Sequence, residues 1–409
     1  MQYSFLQKSM KRILFISLVL LSFLPAKAQQ LSFSDSSIIS LITCSPGDEV
    51  YEKFGHTAIR IKDSKNGIDV VFNYGIFSFE TPDFLYKFIK GETDYQLGVY
   101  TTGNFLASYA QRNSVVWEQD LNLSTDEKLK LIANLIKNYE PDNRIYRYNF
   151  VFDNCATRPR DKILGSVNGY VKFVEDRDSK TYRQWIGTYV GSDTWLKFGI
   201  DLLFGNDADK NASFSESMFL PEVLMNGFQN AEIHNAKNQI RKLVSDKKIL
   251  INKTPESKKI ANFEITPVTF SIILLIFGLM LSIWDYFRHH HSKIFDSILL
   301  IITGLAGLLI TYMMLFSTHP LVQQNLNILW LNPLNIVLGI LIWFPKLRTP
   351  VFFYGIFNIL LLIGGLFSFA LSSQVYNLAA FPIIVLLLLR STSWFMYLKK
   401  RMYKRRSGL

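Results

Sequence analysis

Cysteine is scarce in this chain: its 409 residues include only two, Cys44 and Cys155. Two thiols allow at most one intramolecular disulfide, so a scaffold held together by several bridges is excluded. Neither CxxC nor HExxH spacing occurs in the sequence. We therefore expect no metal site and no cofactor.

Long apolar runs are missing from residues 29–262, which excludes a membrane span there. The chain as a whole is nevertheless 49% hydrophobic, with a mean hydropathy of +0.15. That balance is too apolar for an ordinary soluble protein and too polar for one that is entirely embedded. The composition therefore predicts a water-facing domain joined to a membrane part.

The first 28 residues have the features of an export signal. Lys8, Lys11 and Arg12 precede an apolar stretch at 13–24, and small residues follow up to Ala28. An apolar core of about 12 residues is too short to cross a bilayer and is typical of a signal peptide. We expect cleavage after Ala28, which leaves residues 29–262 as an exported domain with a basic linker at its end.

Five apolar stretches follow between residues 263 and 398, each near the length that a tilted membrane helix needs. They lie at about 265–287, 294–316, 325–345, 351–371 and 378–397. The loops 317–324 and 372–377 contain no Lys or Arg, whereas residues 399–409 contain six. Positive loops stay in the cytoplasm, so we expect a cytoplasmic C-terminus, an inner-membrane protein with its catalytic domain in the periplasm, and no nucleic-acid partner despite the net charge of +11.

The exported domain has the pattern of an α+β fold. Residues 57–62 and 69–74 alternate as half-buried strands, and a turn at 65–67 separates them. Helical spacing occurs at 83–90 and 125–139. An aromatic strand is predicted at 143–152, followed by a helix at 156–164.

Cys155 lies where that last helix begins. Asp153 and Asn154 are residue types that cap helix N-termini, and Pro159 is tolerated only in a first turn. The unpaired N–H groups of a new helix favour a thiolate and can also bind an oxyanion, and Arg158 adds positive charge. We therefore predict that Cys155 is a nucleophile; a disulfide with Cys44 is the structural alternative.

His56 is the predicted base, at the head of the strand that follows Gly55. By the two-residue period of a strand it shares one face with Arg60, so both side chains are expected to flank one cleft. A third group should hold the imidazole in the correct tautomer. Asn73 on the neighbouring strand is our candidate, with Glu52 and Asp153 as alternatives.

Several phrases of the sequence resemble those of Lnb-type lipoprotein N-acyltransferases of Gram-negative bacteria. They are Leu41–Gly47, Phe54–Arg60, Phe72–Gly75, Asp153–Arg158 and Phe219–Pro221, with Thr318–Pro320 and Asn325–Leu334 in the membrane part. The order of a strand His, a neighbouring strand and a helix-opening Asn-Cys is similar to the permuted papain-like fold of NlpC-related lecithin:retinol acyltransferases. The resemblance implies an exported domain of that fold followed by a five-helix transmembrane domain.

What the resemblance implies for function is acyl transfer from a membrane phospholipid, through a thioester on Cys155, to the N-terminal amine of diacylated lipoproteins. Polar groups at membrane depth are costly unless used. His319, Asn325, Asn327 and Asn332 are therefore candidates for binding a lipid headgroup or a lipoprotein anchor, with helix capping and interhelical hydrogen bonds as the alternative.

Two other functions fit the same residues. A papain-like hydrolase, acting on phospholipids or on cell-wall peptides, would use the same Cys–His pair. A non-catalytic membrane-anchored sensor would instead join Cys44 and Cys155 in a disulfide. The state of the two thiols separates the sensor from both enzymes.

Overall fold

The computed structural model describes residues 33–174, 179–235, 237, 239–254 and 264–406, with the side chains of 404–406 excepted. The predicted signal peptide and the end of the predicted basic linker lie outside these residues.

The N-terminal domain is built on a seven-stranded antiparallel sheet, with a second sheet of three short strands. Its strands are Ile38–Cys44 (β1), His56–Asp63 (β2), Ile68–Ile76 (β3), Asp94–Thr101 (β4), Val116–Leu121 (β5), Ile145–Arg147 (β6), Tyr170–Lys172 (β7), Glu232–His234 (β8), Ile240–Lys242 (β9) and Val244–Ile251 (β10). The large sheet has the order β10-β5-β1-β2-β3-β4-β6, and the small one β7-β8-β9. The two strands read from alternation are thus β2 and β3, adjacent at the centre of the large sheet.

Eight helices surround the sheets in the described part of this domain. They are Phe84–Lys90 (α1), Thr102–Gln111 (α2), Thr125–Tyr139 (α3), Thr157–Leu164 (α4), Tyr182–Val190 (α5), Trp195–Leu203 (α6), Phe214–Ser217 (α7) and Pro221–Gln229 (α8). Helix α3 begins at a capping box, in which the Ser124 side chain accepts from the Glu127 N–H and the Glu127 side chain returns to the Ser124 N–H. The helices predicted at 83–90, 125–139 and 156–164 are present.

The predicted strand at 143–152 is mostly a loop, because only Ile145–Arg147 pairs with β4. The side chain of Asn149 ends the strand: its Oδ1 accepts hydrogen bonds from the N–H groups of Val151 and Phe152. An Asn side chain that satisfies the backbone in this way replaces ladder bonds with a turn. The turn delivers the chain to the start of α4.

The sheet buries both of its faces. On one face, Leu41, Ile59 and Phe72 pack in a core with Leu131 of α3 and Phe228 of α8. On the opposite face, a smaller core, which includes Cys44, packs around Phe105 of α2. The edge of the sheet where β2 begins and β3 ends is therefore held between helices on both sides.

In the described part of the membrane region, four helices are long and apolar enough to cross a bilayer, where the sequence predicted five. The long helices are Pro267–Arg288 (α9), Lys293–Phe316 (α10), Arg348–Leu371 (α12) and Ala380–Arg406 (α13). The third predicted stretch, 325–345, contains only a 3-10 turn at Leu326–Leu329 and the short helix Asn335–Leu341 (α11). The prediction of five full-length helices is therefore wrong at this stretch.

The third stretch still runs the length of the bundle, antiparallel to α10. A Cβ on Gly307 would lie 1.8 Å from the carbonyl oxygen of Leu331, and further along α10 the Ser297 hydroxyl donates to the Gly339 carbonyl at 2.7 Å. The missing side chain at Gly307 thus allows the non-helical backbone to lie directly against the helix. Irregular backbone is tolerated at membrane depth where protein buries it, as here. Apolarity predicted the crossing, but Asn332 and Pro333 interrupt its helix.

The N-terminal domain contacts the end of the membrane bundle at which α10 terminates, at Phe316. The carbonyls at the end of α1 accept hydrogen bonds from the loop after α10, including Thr318 N–H to Lys90 O at 2.9 Å. The end of α6 contacts the same loop, because the Gly205 N–H donates to Leu321 O at 2.8 Å. These contacts hold one edge of the N-terminal domain against the membrane bundle.

Candidate active site

The loop that carries Cys155 is organised by the buried side chain of Asn154. Its Nδ2 donates to Phe150 O at 2.8 Å and to Phe219 O at 2.9 Å. Its Oδ1 accepts from the N–H groups of Ala156 and Thr157 at 2.8 and 2.9 Å. One amide therefore ties the start of α4 to the preceding turn and to Phe219, two residues before α8 begins.

This capping corrects one expectation about the oxyanion. We expected the free N–H groups of the new helix to receive it, but those of Ala156 and Thr157 already donate to Asn154. The donors that reach the Cys155 sulfur are its own N–H and the N–H of Thr57 on β2. Both hydrogen-bond the sulfur and so stabilise a thiolate, and they lie beside the atom to which a substrate carbonyl would be joined.

His56 lies between Asn73 and Cys155. The Oδ1 of Asn73 is 2.5 Å from His56 Nε2, and the imidazole also hydrogen-bonds the Cys155 thiol. Because Oδ1 can only accept, Nε2 carries a proton, and Nδ1 is left to face the sulfur. The structure thus brings together the predicted nucleophile, the predicted base and the preferred candidate for the third residue.

The electrostatics of the pair favour a thiolate beside an imidazolium. Burial alone would raise the pKa of Cys155, but the charge and hydrogen bond of His56, with the two backbone N–H groups, lower it below its ordinary value. Burial would likewise lower the pKa of His56, but the negative sulfur and the Asn73 bond raise it. Opposite shifts in neighbouring groups are typical of an activated cysteine.

Gly75 closes the site on the β3 side, a position that the sequence reasoning did not single out. Its φ is +93°, and a Cβ built there would lie 3.4 Å from the Cβ of Cys155 and 3.8 Å from His56 Cε1. Continuing the register of Ile59 opposite Phe72 places Gly75 opposite His56. A side chain here would lie against both Cys155 and His56. In the sequence, the glycine of the Asn-Tyr-Gly run that begins at Asn73 could have indicated this position.

Tyr109 of α2 is a second residue that the sequence reasoning missed. Its ring stacks against His56, with centroids 6.2 Å apart and planes 19° apart, and its hydroxyl hydrogen-bonds the buried thiol of Cys44. Both cysteines are free. The disulfide required by the sensor alternative is therefore not formed in this structure, and Cys44 helps position the tyrosine that backs the base.

Two of the supporting residues, Arg60 and Glu52, pair with residues other than Cys155 and His56. Arg60 shares the sheet face of His56 as expected but binds Asp69 and Glu118, at 2.6 and 2.9 Å, rather than flanking a shared cleft. Glu52 binds Arg112 at 2.7 Å. In the part of the chain that the structure describes, Glu52 therefore accepts no hydrogen bond from the imidazole.

Asp153 and Arg158 pair with each other at the start of α4. Arg158 Nε lies 2.5 Å from Asp153 Oδ1, and its guanidinium lies 3.5 Å from the centre of the Tyr146 ring. The positive charge expected from Arg158 is thus compensated by Asp153. This pair braces the nucleophile loop instead of holding the imidazole.

The four polar candidates of the membrane part all make internal contacts. His319 Nε2 hydrogen-bonds Phe88 O at 2.5 Å, and Asn325 and Asn327 donate to Leu202 O at 2.7 and 3.2 Å. Asn332 accepts from the Leu334 N–H within its own turn. These contacts correspond to the structural alternative: the side chains dock the two domains and cap local turns.

An aromatic wall leads from the nucleophile toward the membrane. Tyr95 and Tyr148 stack at 4.0 Å, and Phe77 stacks on Tyr95 at 4.8 Å. Burial, and then the nearby charge of Cys155, raise the pKa of both tyrosines. Phe77 in turn stacks on Phe84 at the start of α1, so an apolar surface connects the sulfur to the helix that contacts the membrane domain.

Comparison with known proteins gives two matches, one for each part of the chain. A family model described as the Lnb N-terminal periplasmic domain matches residues 26–187, and one described as the Lnb transmembrane domain matches residues 257–402. No curated protein and no solved structure matches the chain. A periplasmic sheet-and-helix domain is followed by membrane-spanning helices, which supports an inner-membrane location. The two family matches also support a lipoprotein N-acyltransferase-like role. The chain belongs to the Lnb family.

Proposed function

We propose that this protein transfers a fatty acyl chain from a membrane phospholipid to the N-terminal amine of a diacylglyceryl-cysteine lipoprotein. The observation that carries the proposal is the imidazole of His56, held between Asn73 at 2.5 Å and the thiol of Cys155. The family supports an acyltransferase, and the cysteine pair supplies a covalent route for it.

In the first half of the proposed reaction, the Cys155 thiolate attacks the ester carbonyl carbon of the phospholipid. The N–H groups of Cys155 and Thr57 hold the carbonyl oxygen as it becomes negative. The C–O bond to glycerol then breaks, and His56 gives its proton to the departing alkoxide. The products are lysophospholipid and an acyl thioester on Cys155.

In the second half, the neutral α-amine of the lipoprotein attacks the thioester carbonyl. His56 accepts a proton from the nitrogen, the C–S bond breaks, and an amide forms while the thiolate is restored. Asn73 keeps the imidazole in the orientation that both proton transfers need. Water has to be kept from the thioester, because hydrolysis would convert the enzyme into a phospholipase.

The position of the site suits substrates that never leave the bilayer. The loop before Cys155 packs on the membrane domain: the Phe150 ring lies 5.8 Å from that of His319, and Val151 shares a buried cluster with Leu321. Burial of each methylene contributes about 0.8 kcal/mol, so drawing a whole acyl chain into water would cost on the order of 10 kcal/mol. An active site at the membrane surface avoids that cost.

Helix α1 is our candidate for the entry side of the acyl chain. Leu85, Tyr86 and Phe88 remain 70%, 55% and 43% exposed, although α1 is docked beside the membrane helices. Large apolar side chains in that position are stabilised by lipid. The aromatic wall that starts at Phe84 then leads to Cys155.

Two finer features belong to the same proposal. The order of His56 on a strand, Asn73 on its neighbour and Cys155 before a helix supports a permuted papain-like arrangement. The bundle end remote from the periplasmic domain contains the basic C-terminal helix end, which supports a cytoplasmic C-terminus.

The test is mass spectrometry of a lipoprotein's N-terminal lipopeptide and of the protein itself. Cells lacking this protein are complemented with wild type, Cys155→Ser or Cys44→Ala, the last as a matched loss of the other thiol. We expect the amide-linked acyl chain with wild type and, at a reduced level because Tyr109 loses a hydrogen-bond partner, with Cys44→Ala, but not with Cys155→Ser. Purified wild type incubated with phospholipid should gain one acyl mass on the peptide containing Cys155.

Two outcomes would contradict the proposal. An amide-linked chain that persists with Cys155→Ser would exclude the thioester route. If purified wild type released free fatty acid from phospholipid and transferred none to an added diacylated lipopeptide, the protein would be a hydrolase instead.

A further inference from the structure

A cationic cavity lies at the end of the membrane bundle opposite to Cys155. It is open on one side and has a volume of about 40 Å³. Three basic residues from three helices line it: Lys293 at the start of α10, Arg348 at the start of α12, and Arg401 near the end of α13. The apolar part of its lining includes Phe344 and Leu398. Charge and apolar surface therefore meet within one concave site.

The three cations have no carboxylate partner in the described part of the chain. The Lys293 ammonium lies 5.6 Å from the centre of the Trp343 ring, and the Arg401 guanidinium lies 5.1 Å from that of Tyr397. Both guanidinium groups are close enough to repel the lysine. Cations that repel one another, two of them beside aromatic rings, leave a net positive charge in the cavity when no anion is paired with them.

The nearest acidic side chains are already engaged elsewhere. Asp296, one turn beyond Lys293 on α10, binds Arg390 at 2.6 Å, and Asp285 binds the same guanidinium at 2.8 Å. Both carboxylates lie in a buried cluster that includes His291. Among the described residues, these are the only buried aspartates of the membrane region. Because both are paired with Arg390, neither neutralises the cations of the cavity.

The placement of two of the cations adds to the repulsion. Lys293 and Arg348 are the first residues of helices of 24 residues each, where the positive end of the helix dipole disfavours a cation. Neither helix has a side-chain cap at that end. An anion in the cavity would relieve all of these unfavourable interactions at once.

We infer that this cavity binds the phosphate group of an anionic phospholipid in the leaflet remote from the periplasmic domain. Basic pockets between membrane helices on the cytoplasmic side are suited to such headgroups, and the apolar lining accommodates the first part of an acyl chain. The bound lipid is not a substrate, because the cavity and Cys155 lie at opposite ends of the bundle. The inference does not rest on the proposed acyl transfer.

The experiment is native mass spectrometry of the full-length protein in detergent, titrated separately with phosphatidylglycerol and phosphatidylcholine. Wild type should retain one phosphatidylglycerol in preference to phosphatidylcholine. Each cation near an anionic headgroup strengthens binding about fivefold, so Lys293→Ala with Arg348→Ala should weaken that adduct about 25-fold. Lys399→Ala with Lys400→Ala is the matched control, since it removes two exposed basic residues of the same helix end that do not line the cavity.

Thermal unfolding separates a binding site from a purely structural role. Without lipid, the Lys293→Ala/Arg348→Ala variant should melt no lower than wild type, because it removes repulsion, and phosphatidylglycerol should raise the melting temperature of wild type alone. If that variant does not fold, Lys293→Arg with Arg348→Lys keeps the charges and should retain the adduct. Equal binding of both lipids, equal loss in the Lys399/Lys400 control, or displacement of the lipid by millimolar inorganic phosphate would each overturn the inference.

Discussion

Replacement of Asn73 by alanine tests the geometry of the active site most directly. The substitution removes the acceptor that lies 2.5 Å from His56 Nε2. A hydrogen bond to a charged partner contributes about 1.5–3 kcal/mol, which corresponds to about 10- to 150-fold in rate. His56 is only partly buried, so water replaces some of that bond, and we expect a loss of about 10- to 40-fold in kcat/KM.

Asn73→Ala should also shift the pH profile of activity, and the direction of the shift can be stated. The proposed reaction needs a thiolate on Cys155, whose pKa is lowered, and a proton on His56, whose pKa is raised, so activity should fall as the pH rises through the pKa of His56. Asn73 contributes to the raised value, so its removal should move the alkaline limb of reactivity to lower pH. Asn73→Asp restores an acceptor with a negative charge and should move that limb back up.

The assay is acyl transfer to a diacylated lipopeptide between pH 5 and pH 10, which reports the alkaline limb because the leaving alkoxide needs the His56 proton. Alkylation of Cys155 by iodoacetamide over the same range reports the thiolate alone. Glu52→Gln is the control, because Glu52 binds Arg112 and not the imidazole, and we expect its rate to stay within about threefold of wild type. An Asn73→Ala protein with wild-type rates and an unmoved alkaline limb would refute the assignment of Asn73.

Two further predictions concern other parts of the molecule. Gly75→Ala should reduce acyl transfer by at least tenfold while the protein stays folded, because φ is +93° and the new methyl would lie 3.4 Å from the Cβ of Cys155; wild-type kinetics would show that this edge of the site is not sterically limited. Arg183→Ala should destabilise the protein by about 3–5 kcal/mol, since among the described residues it removes the one ion-pair partner of the buried Asp209 side chain and leaves Asp201 with Lys197 alone. Arg147→Ala, which removes an exposed ion pair, should cost at most about 1 kcal/mol, and thermal unfolding that does not distinguish the two arginines would contradict this reasoning.

The elements around the active site were predictable because their signals are local. Alternation marks β2 and β3, and capping residues mark the starts of α3 and α4. The residues predicted as nucleophile and base are hydrogen-bonded to each other, and Asn73 lies on the other side of the imidazole. Their catalytic roles remain predictions until the variants are measured.

Errors arose where one side chain satisfies another element's backbone. Asn149 turns a predicted strand into a loop, and Asn154 occupies the helix N–H groups that we had reserved for the oxyanion. Asn325 and Asn327 looked like ligand groups but hydrogen-bond to the end of α6, more than 120 residues away. The partner of a polar side chain is a matter of three-dimensional proximity, which spacing along the chain does not encode.

The sequence by itself was enough to predict the nucleophile and the base and to determine that the chain enters a membrane, since both inferences follow from residue type, local period and apolar length. Only the tertiary structure decided that Thr57 supplies an N–H to the sulfur, that Tyr109 backs the base and that the third membrane stretch is broken. Each of these depends on the register of strands or the close approach of helices. Such contacts form between segments distant in sequence, and their geometry is set by packing of the whole fold.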